Sequence, residues 1–223
     1  MATQDAACSC GQLRLTAHGD PVRISVCHCL ACQRRTGSAF AMQARYPTSA
    51  VHVLGHFTEY TRTSDLGEKR TFHFCPECGA TVFYTTDDAA DLVAVPIGAF
   101  ADPSFPAPTV SVYESRRHSW VSLSPEIQRN APELWEPLQS LYEAGEYAEA
   151  ANRGSELLEA HPGYGDLFYN VACCDSLAGR TAEALEHLGR ALDTSESFRA
   201  MAKDDADFDP IRNEPAFQNL IGH

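Results

Sequence analysis

Seven cysteines stand in three groups near the start of the chain: Cys8-Ser9-Cys10, Cys27-His28-Cys29-Leu30-Ala31-Cys32 and Cys75-Pro76-Glu77-Cys78-Gly79. Thiolates at such spacings are soft ligands suited to zinc. A structural zinc takes four protein ligands, whereas a zinc that does chemistry commonly takes three and keeps one position open. Seven thiols therefore suggest one closed site and one open site. In an extended strand residues i and i+2 share a face, so Cys8 with Cys10, and Cys27 with Cys29, can each turn two sulfurs toward one metal. Cys75 and Cys78 form a knuckle, a tight turn helped by Gly79. The alternating run Val22-Arg23-Ile24-Ser25-Val26 predicts a half-buried strand that delivers Cys27 and Cys29, followed by a turn that supplies Cys32.

Three other uses of these cysteines compete. A disulfide framework needs an oxidising compartment, but Met1-Ala2-Thr3-Gln4-Asp5 lacks the basic and apolar regions of a signal peptide, and no apolar run is long enough to span a membrane. The expectation is a cytoplasmic protein with no membrane partner. A redox Cys-x-x-Cys at Cys29 to Cys32 or Cys75 to Cys78 needs a βαβ pattern that is not visible. Two closed structural zincs, with His28 or His73 as the eighth ligand, form the third alternative.

The elements that must position these residues change character near Ser124. A chain of 223 residues has room for one large or two small cores. Residues 1–124 carry a net charge of −1 and many β-branched or aromatic residues, while residues 125–223 carry −12 and are rich in Ala, Leu and Glu. The reading is of a two-domain α+β protein: a zinc domain over 1–124, a linker over 125–132 and a helical domain over 133–223. The basic pairs Arg34-Arg35, Lys69-Arg70 and Arg116-Arg117 form no stripe, which argues against a nucleic-acid partner.

Turn residues such as Gly19-Asp20-Pro21, Gly55 and Asp65-Leu66-Gly67 divide the first part into short strands. These are expected at 13–17, 22–29, 39–46, 51–54, 57–61, 70–74, 81–85, 92–97 and 110–113, with 120–123. Trp120 and Phe40 are expected in the core. A small sheet of this kind gains from a metal staple, since structural zinc contributes on the order of 10 kcal/mol to folding.

The order Cys-x-Cys, then Cys27-His28-Cys29-x-x-Cys32-Gln33-Arg34-Arg35-Thr36-Gly37-Ser38-Ala39-Phe40, then Phe74-Cys75-Pro76-Glu77-Cys78-Gly79, then Gly98-Ala99-Phe100-Ala101-Asp102-Pro103, resembles the glutathione-dependent formaldehyde-activating enzyme family, also called CENP-V/GFA. The resemblance runs from about Ala7 to Leu123. It implies a zinc-stapled antiparallel β-tent with two zinc ions, a structural one on Cys8, Cys10, Cys75 and Cys78 and an open one on Cys27, Cys29 and Cys32. The cysteine spacings alone do not say which pair joins the knuckle. One departure is Ala101, where the family commonly has the first acidic residue of Gly-x-Leu-Asp-Asp-Pro.

Three thiolates donate charge to a metal, so a water there is polarised less than on a three-histidine zinc. A fourth thiolate suits such a soft site better. The resemblance implies addition of the glutathione thiol to formaldehyde, giving S-(hydroxymethyl)glutathione, formally a carbon–sulfur lyase reaction in reverse. Cys27, Cys29 and Cys32 are then catalytic as well as metal-binding, and His28 or His73 is a candidate proton donor. Arg34, Arg35, Thr36, Gly37 and Ser38 form a candidate cradle for the thiol's carboxylates, through arginine forks and free backbone N–H groups. The alternative is a non-catalytic zinc scaffold that serves as a binding module.

In the second part, Ala144-Gly145-Glu146-Tyr147-Ala148-Glu149-Ala150 recurs as Ala178-Gly179-Arg180-Thr181-Ala182-Glu183-Ala184, an offset of 34, with Leu158 repeated as Leu192. This resembles the tetratricopeptide repeat, with Gly154 where a bulky residue is usual, and implies helical hairpins that serve a protein partner or self-association. Two repeats are fewer than the three usually needed, so further burial is expected from the tail Phe208 to Ile221, from the zinc domain or from self-association.

Overall fold

The computed structural model describes residues 3–65 and 67–222. They form two compact units, one up to Ser111 together with Arg116–Ile127, the other Val112–Ser115 with Gln128 onward.

The first unit contains β1 (Thr3–Ala7), β2 (Arg14–His18), β3 (Arg23–Cys27), α1 (Leu30–Thr36), β4 (Ala41–Pro47), β5 (Val51–Leu54), β6 (Thr58–Thr63), β7 (Lys69–Phe74), β8 (Thr81–Thr86), β9 (Leu92–Pro96) and β10 (Val110–Val112). A small sheet has the order β1-β2-β5, and a larger one runs β10-β3-β4-β9-β8-β7-β6. Alternation sorts the larger sheet into two faces. Ile24, Ala44, Tyr46, Phe83, Val93 and Val95 join Leu13, Leu15 and Ala17 of the small-sheet region in one buried core. Each large apolar side chain so buried contributes about 1.5–3 kcal/mol. The opposite face carries Arg23, Ser25 and Cys27 on β3, with Tyr84 and Phe72 farther along the sheet. Helix α1 lies over that face, its Arg35 guanidinium 4.9 Å from the centre of the Phe72 ring.

Three expectations need correction here. The segment 28–36 is not strand plus turn: β3 stops at Cys27 and α1 follows at Leu30. None of the seven residues of α1 is fully buried, so no apolar period announced it. Its ends do carry signals, with Cys29 at the N-cap, Arg34 and Arg35 in the last turn, and Gly37 closing it at φ 63°. Trp120 belongs to a turn and is 73% exposed, so it is neither strand nor core. Strand β1, Thr-Gln-Asp-Ala-Ala, was not foreseen because its composition is polar; it is an edge strand, and only Ala6 is buried.

The family departure at Ala101 falls in a structural turn. A 3-10 turn over Ile97–Phe100 ends with Ala101 at φ 51°, its N–H donating to the Gly98 carbonyl at 3.2 Å. Asp102 then accepts from the Ser104 N–H at 2.8 Å and the Ser104 hydroxyl at 2.7 Å. A left-handed residue with a Cβ costs roughly 1–2 kcal/mol, partly offset in Gly by a looser unfolded chain. Ala101→Gly is therefore expected to stabilise the first unit by up to about 1 kcal/mol, read as a higher urea midpoint with unchanged slope. A lower midpoint would show that the turn does not limit stability.

The second unit contains β11 (Gln128–Asn130), α2 (Pro132–Glu143), α3 (Tyr147–Ala160), α4 (Gly165–Leu177), α5 (Thr181–Thr194), α6 (Ser197–Asp204) and α7 (Pro215–Ile221). The stretch 125–132, expected as linker, thus holds a short strand and the first residue of α2. Gly145 and Gly179, at φ 77° and 74°, turn the chain from α2 to α3 and from α4 to α5. A Cβ on Gly154 would collide with Val171, so the missing bulk in the first copy is what lets α3 and α4 approach. Phe208, Ile211 and Phe217 of the tail are fully buried in the same core as Leu167 and Leu188. The tail therefore supplies burial that two hairpins lack.

Cys173 and Cys174 are buried in α4, and burial raises both thiols. Cys173 also meets Asp205 and Asp207, but hydroxyls of Tyr169 and Tyr142 already donate to those carboxylates at 2.8 Å. No helix among the described residues is long and apolar enough to cross a membrane.

Candidate metal centres

Cys8, Cys10, Cys75 and Cys78 bring their sulfurs within 4.8 Å of one another. The Cys10 sulfur is 3.5 Å from that of Cys8 and 3.6 Å from that of Cys75. A tetrahedral zinc with bonds of about 2.3 Å separates its sulfurs by about 3.8 Å, so the set fits that ion. All nine cysteines are free, and none forms a disulfide.

Two hairpin turns present these sulfurs. Cys75 and Cys78 lie between β7 and β8, where the Cys75 N–H donates to Ala80 at 3.0 Å and the Gly79 N–H returns to Cys75 at 2.9 Å. Cys8 and Cys10 are not on an extended strand as expected; they lie in the turn between β1 and β2, with Gly11 at φ 77°. There the Cys8 N–H donates to Leu13 at 2.9 Å and the Leu13 N–H donates to the Cys8 sulfur at 3.2 Å. Gln12 was missed by sequence reasoning. Its side-chain amide donates to the Cys75 sulfur at 3.3 Å and to the His56 carbonyl at 2.6 Å, and accepts from the His56 N–H at 3.0 Å. Gly55 leaves room for this approach, because a Cβ there would run into the Gln12 carbonyl. Burial disfavours charge on Cys75, yet the Gln12 amide and the backbone N–H groups of Cys78 and Glu77 hold its thiol down at about 6.

Cys27, Cys29 and Cys32 form the second cluster, again with all sulfurs within 4.8 Å. Cys27 ends β3, Cys29 caps α1 and Cys32 sits in the first turn, its N–H donating to the Cys29 sulfur at 3.3 Å. Cys29 is drawn far below the ordinary thiol range, first by hydrogen bonds from Cys27 and Cys32; Cys27 is pushed far up by the bonds it gives to Cys29 and Cys32. The three crowded thiols thus compete for deprotonation, and a divalent ion can replace their protons.

The cluster contains no histidine and no carboxylate among the described residues. His73 lies on the other face of β7, stacked on Phe83 at 4.1 Å with its Nε2 3.1 Å from Glu59. His28 is fully buried, edge-on to Phe40 at 5.8 Å. Neither imidazole completes the ligand set.

The segment after Cys32 is only partly a free cradle. The Gly37 N–H donates to Gln33 at 2.9 Å, and the Ser38 N–H donates to the Thr36 hydroxyl at 3.3 Å. Thr36 itself donates to the Cys32 carbonyl at 2.9 Å. Closing the helix thus engages the N–H groups of Gly37 and Ser38. Arg34 and Arg35 instead line a cavity of about 640 Å³, whose other wall includes Tyr60, Arg62, Phe72 and Phe74.

Residues 3–116, just over half of the chain, match the family described as glutathione-dependent formaldehyde-activating enzyme. Among solved structures, a crystal structure of a Rhodobacter sphaeroides protein shares 19% identity at a TM-score of 0.36, over 47% of this chain and 91% of that one. No curated protein sequence matches the chain. Both cysteine clusters lie inside the matched residues, and the chain belongs to the glutathione-dependent formaldehyde-activating enzyme family.

Proposed function

We propose that the first unit is a zinc-dependent carbon–sulfur lyase-type enzyme that joins a low-molecular-weight thiol, glutathione or a similar one, to formaldehyde or a related aldehyde. The observation that carries this reading is the ligand inequality between the clusters: four sulfurs in one, three sulfurs and no further ligand among the described residues in the other. The first cluster is then the structural site and the second the open one.

Bound by Cys27, Cys29 and Cys32, zinc would supply the positive charge that holds a substrate sulfur deprotonated at neutral pH. The three cysteines leave a vacancy suited to sulfur, and the buried surroundings of Cys27 and Cys29 keep water from competing. The substrate sulfur donates its electron pair to the aldehyde carbon, a carbon–sulfur bond forms, and the carbonyl oxygen takes the proton the thiol has lost. Nothing is oxidised or reduced. Proximity provides much of the rate, since the two reactants become one assembly. Of the two histidines weighed as proton carriers, His28 lies between Cys27 and Cys29 in the chain, whereas His73 faces the opposite side of its strand.

We also propose that the second unit is a tetratricopeptide-like module for a protein partner or self-association, on the strength of the 34-residue offset and the two glycine-turned hairpins. Cobalt-substituted full-length protein tests the enzyme reading. Titration with glutathione or another small thiol is expected to change the open-site charge-transfer and d–d bands. Bands that stay unchanged through millimolar thiol would favour the scaffold reading.

A further inference from the structure

A cavity whose lining includes Ala31, the chain neighbour of Cys32, carries information about the thiol itself. Ala31, Arg34 and Arg35 are spaced i, i+3 and i+4, so one face of α1 forms one wall. On the sheet side Tyr60 and Arg62 alternate along the edge strand β6, and Tyr60 stands opposite Phe72 of β7 in register. Helix face and sheet face together enclose about 640 Å³, far more than formaldehyde would fill.

Its charge is one-sided. Arg34, Arg35 and Arg62 make no ion pair among the described residues. On the same face of the sheet Arg23 and Arg45 stand directly opposite each other across β3 and β4, also without an ion pair. Like charges in that position are unfavourable, and the Nε atoms of Arg23, Arg35 and Arg45 are buried without a hydrogen-bond partner. Arg70, opposite Arg62 on this face, is already paired with Glu68 at 3.4 Å. The cavity lining itself gathers Arg34, Arg35 and Arg62 with no carboxylate among them, an arrangement suited to an anion supplied from outside.

The remaining lining is mostly aromatic, with Gly79 and Thr81 completing it. Phe72 has Arg35 at 4.9 Å and Arg62 at 5.8 Å from its ring centre, while Tyr60 and Phe74 extend the aromatic surface. Wide aromatic walls leave a polar peptide backbone with few partners, whereas they match an aryl or similarly flat group.

We propose that this cavity receives the body of the substrate thiol, and that the preferred thiol carries its carboxylate on a flat apolar group, with Arg62 and Arg34 taking the carboxylate and Tyr60 and Phe72 the apolar surface. Formaldehyde needs no such space, so the cavity serves the thiol partner. This rests on the thiol reading of the open site, and it adds Arg62 and Tyr60 as specificity-determining residues on a strand far from the cysteines in sequence.

Three probes separate the two ideas on the full-length zinc-loaded protein by titration calorimetry: 4-(mercaptomethyl)benzoate, benzyl mercaptan, which lacks the carboxylate, and 4-methylbenzoate, which lacks the thiol. The first is expected to bind at least tenfold more tightly than benzyl mercaptan. Arg62→Gln should weaken both carboxylates at least fivefold and leave benzyl mercaptan unchanged, with Arg34→Gln acting in the same direction. Equal weakening of all three probes, or no binding of 4-methylbenzoate, would overturn the cavity assignment. If both carboxylates bind and respond to Arg62→Gln while the cobalt bands ignore every thiol, the cavity assignment stands and the open-site reading fails.

Discussion

Replacing Cys75 by alanine is expected to unfold the first unit, lowering its stability by several kcal/mol while the second unit keeps its helical signal. The side chain is fully buried, and its sulfur joins a hydrogen-bonded set that ties the β7–β8 hairpin to the β1–β2 hairpin. A structural zinc contributes on the order of 10 kcal/mol, comparable with the whole stability of a domain, about 5–15 kcal/mol. Alanine removes one of four ligands and also leaves the Gln12 amide without its sulfur acceptor. Zinc analysis should fall from about two ions per chain toward one or none. Urea unfolding should lose the first unit's transition, and a chelator should reproduce the effect in the unaltered protein. A variant that kept both zincs and the same urea midpoint would show that the four-sulfur set does not staple the fold.

Cys29→Ser is expected to do the opposite, lowering turnover at least about a hundredfold while the fold persists. Cys29 has two roles that serine separates. As N-cap it accepts the Cys32 N–H, and serine is among the best residues for that position. As a ligand it offers a soft thiolate, and a hydroxyl is a poor substitute at a sulfur-rich site. Helix α1 should therefore remain, with its unfolding midpoint shifted by less than about 1 kcal/mol. The open-site zinc and the thiol-dependent reaction should be lost together. Activity assayed as consumption of formaldehyde in the presence of glutathione decides the matter: full turnover in the variant would mean that this cluster is not catalytic.

Much of the site was legible before any coordinates, for a local reason. The Cys75 to Cys78 knuckle is a turn closed by its own backbone and a glycine, so type and spacing suffice to see it. The strands β3 to β5 and β7 to β9 show in runs of β-branched and aromatic residues, within a few residues of their ends. Helix α1 and strand β1 escaped because neither has an apolar face of its own. The hairpin at Cys8 and Cys10 was misread as strand, since a single intervening residue is compatible with both shapes.

The residues by themselves determined the chemistry on offer: seven soft ligands in groups of two, three and two, a charge split near residue 124 and a 34-residue repeat. Only the tertiary structure decided which groups meet. Cys10 and Cys75 are 65 residues apart, and their contact follows from two hairpins brought together by a shared core. Gln12 beside Cys75 and Arg62 opposite α1 likewise acquire their roles from long-range packing. Local spacing encodes what a short segment can bind, whereas register and packing between distant segments set its partners, because those contacts depend on burial summed over the whole unit.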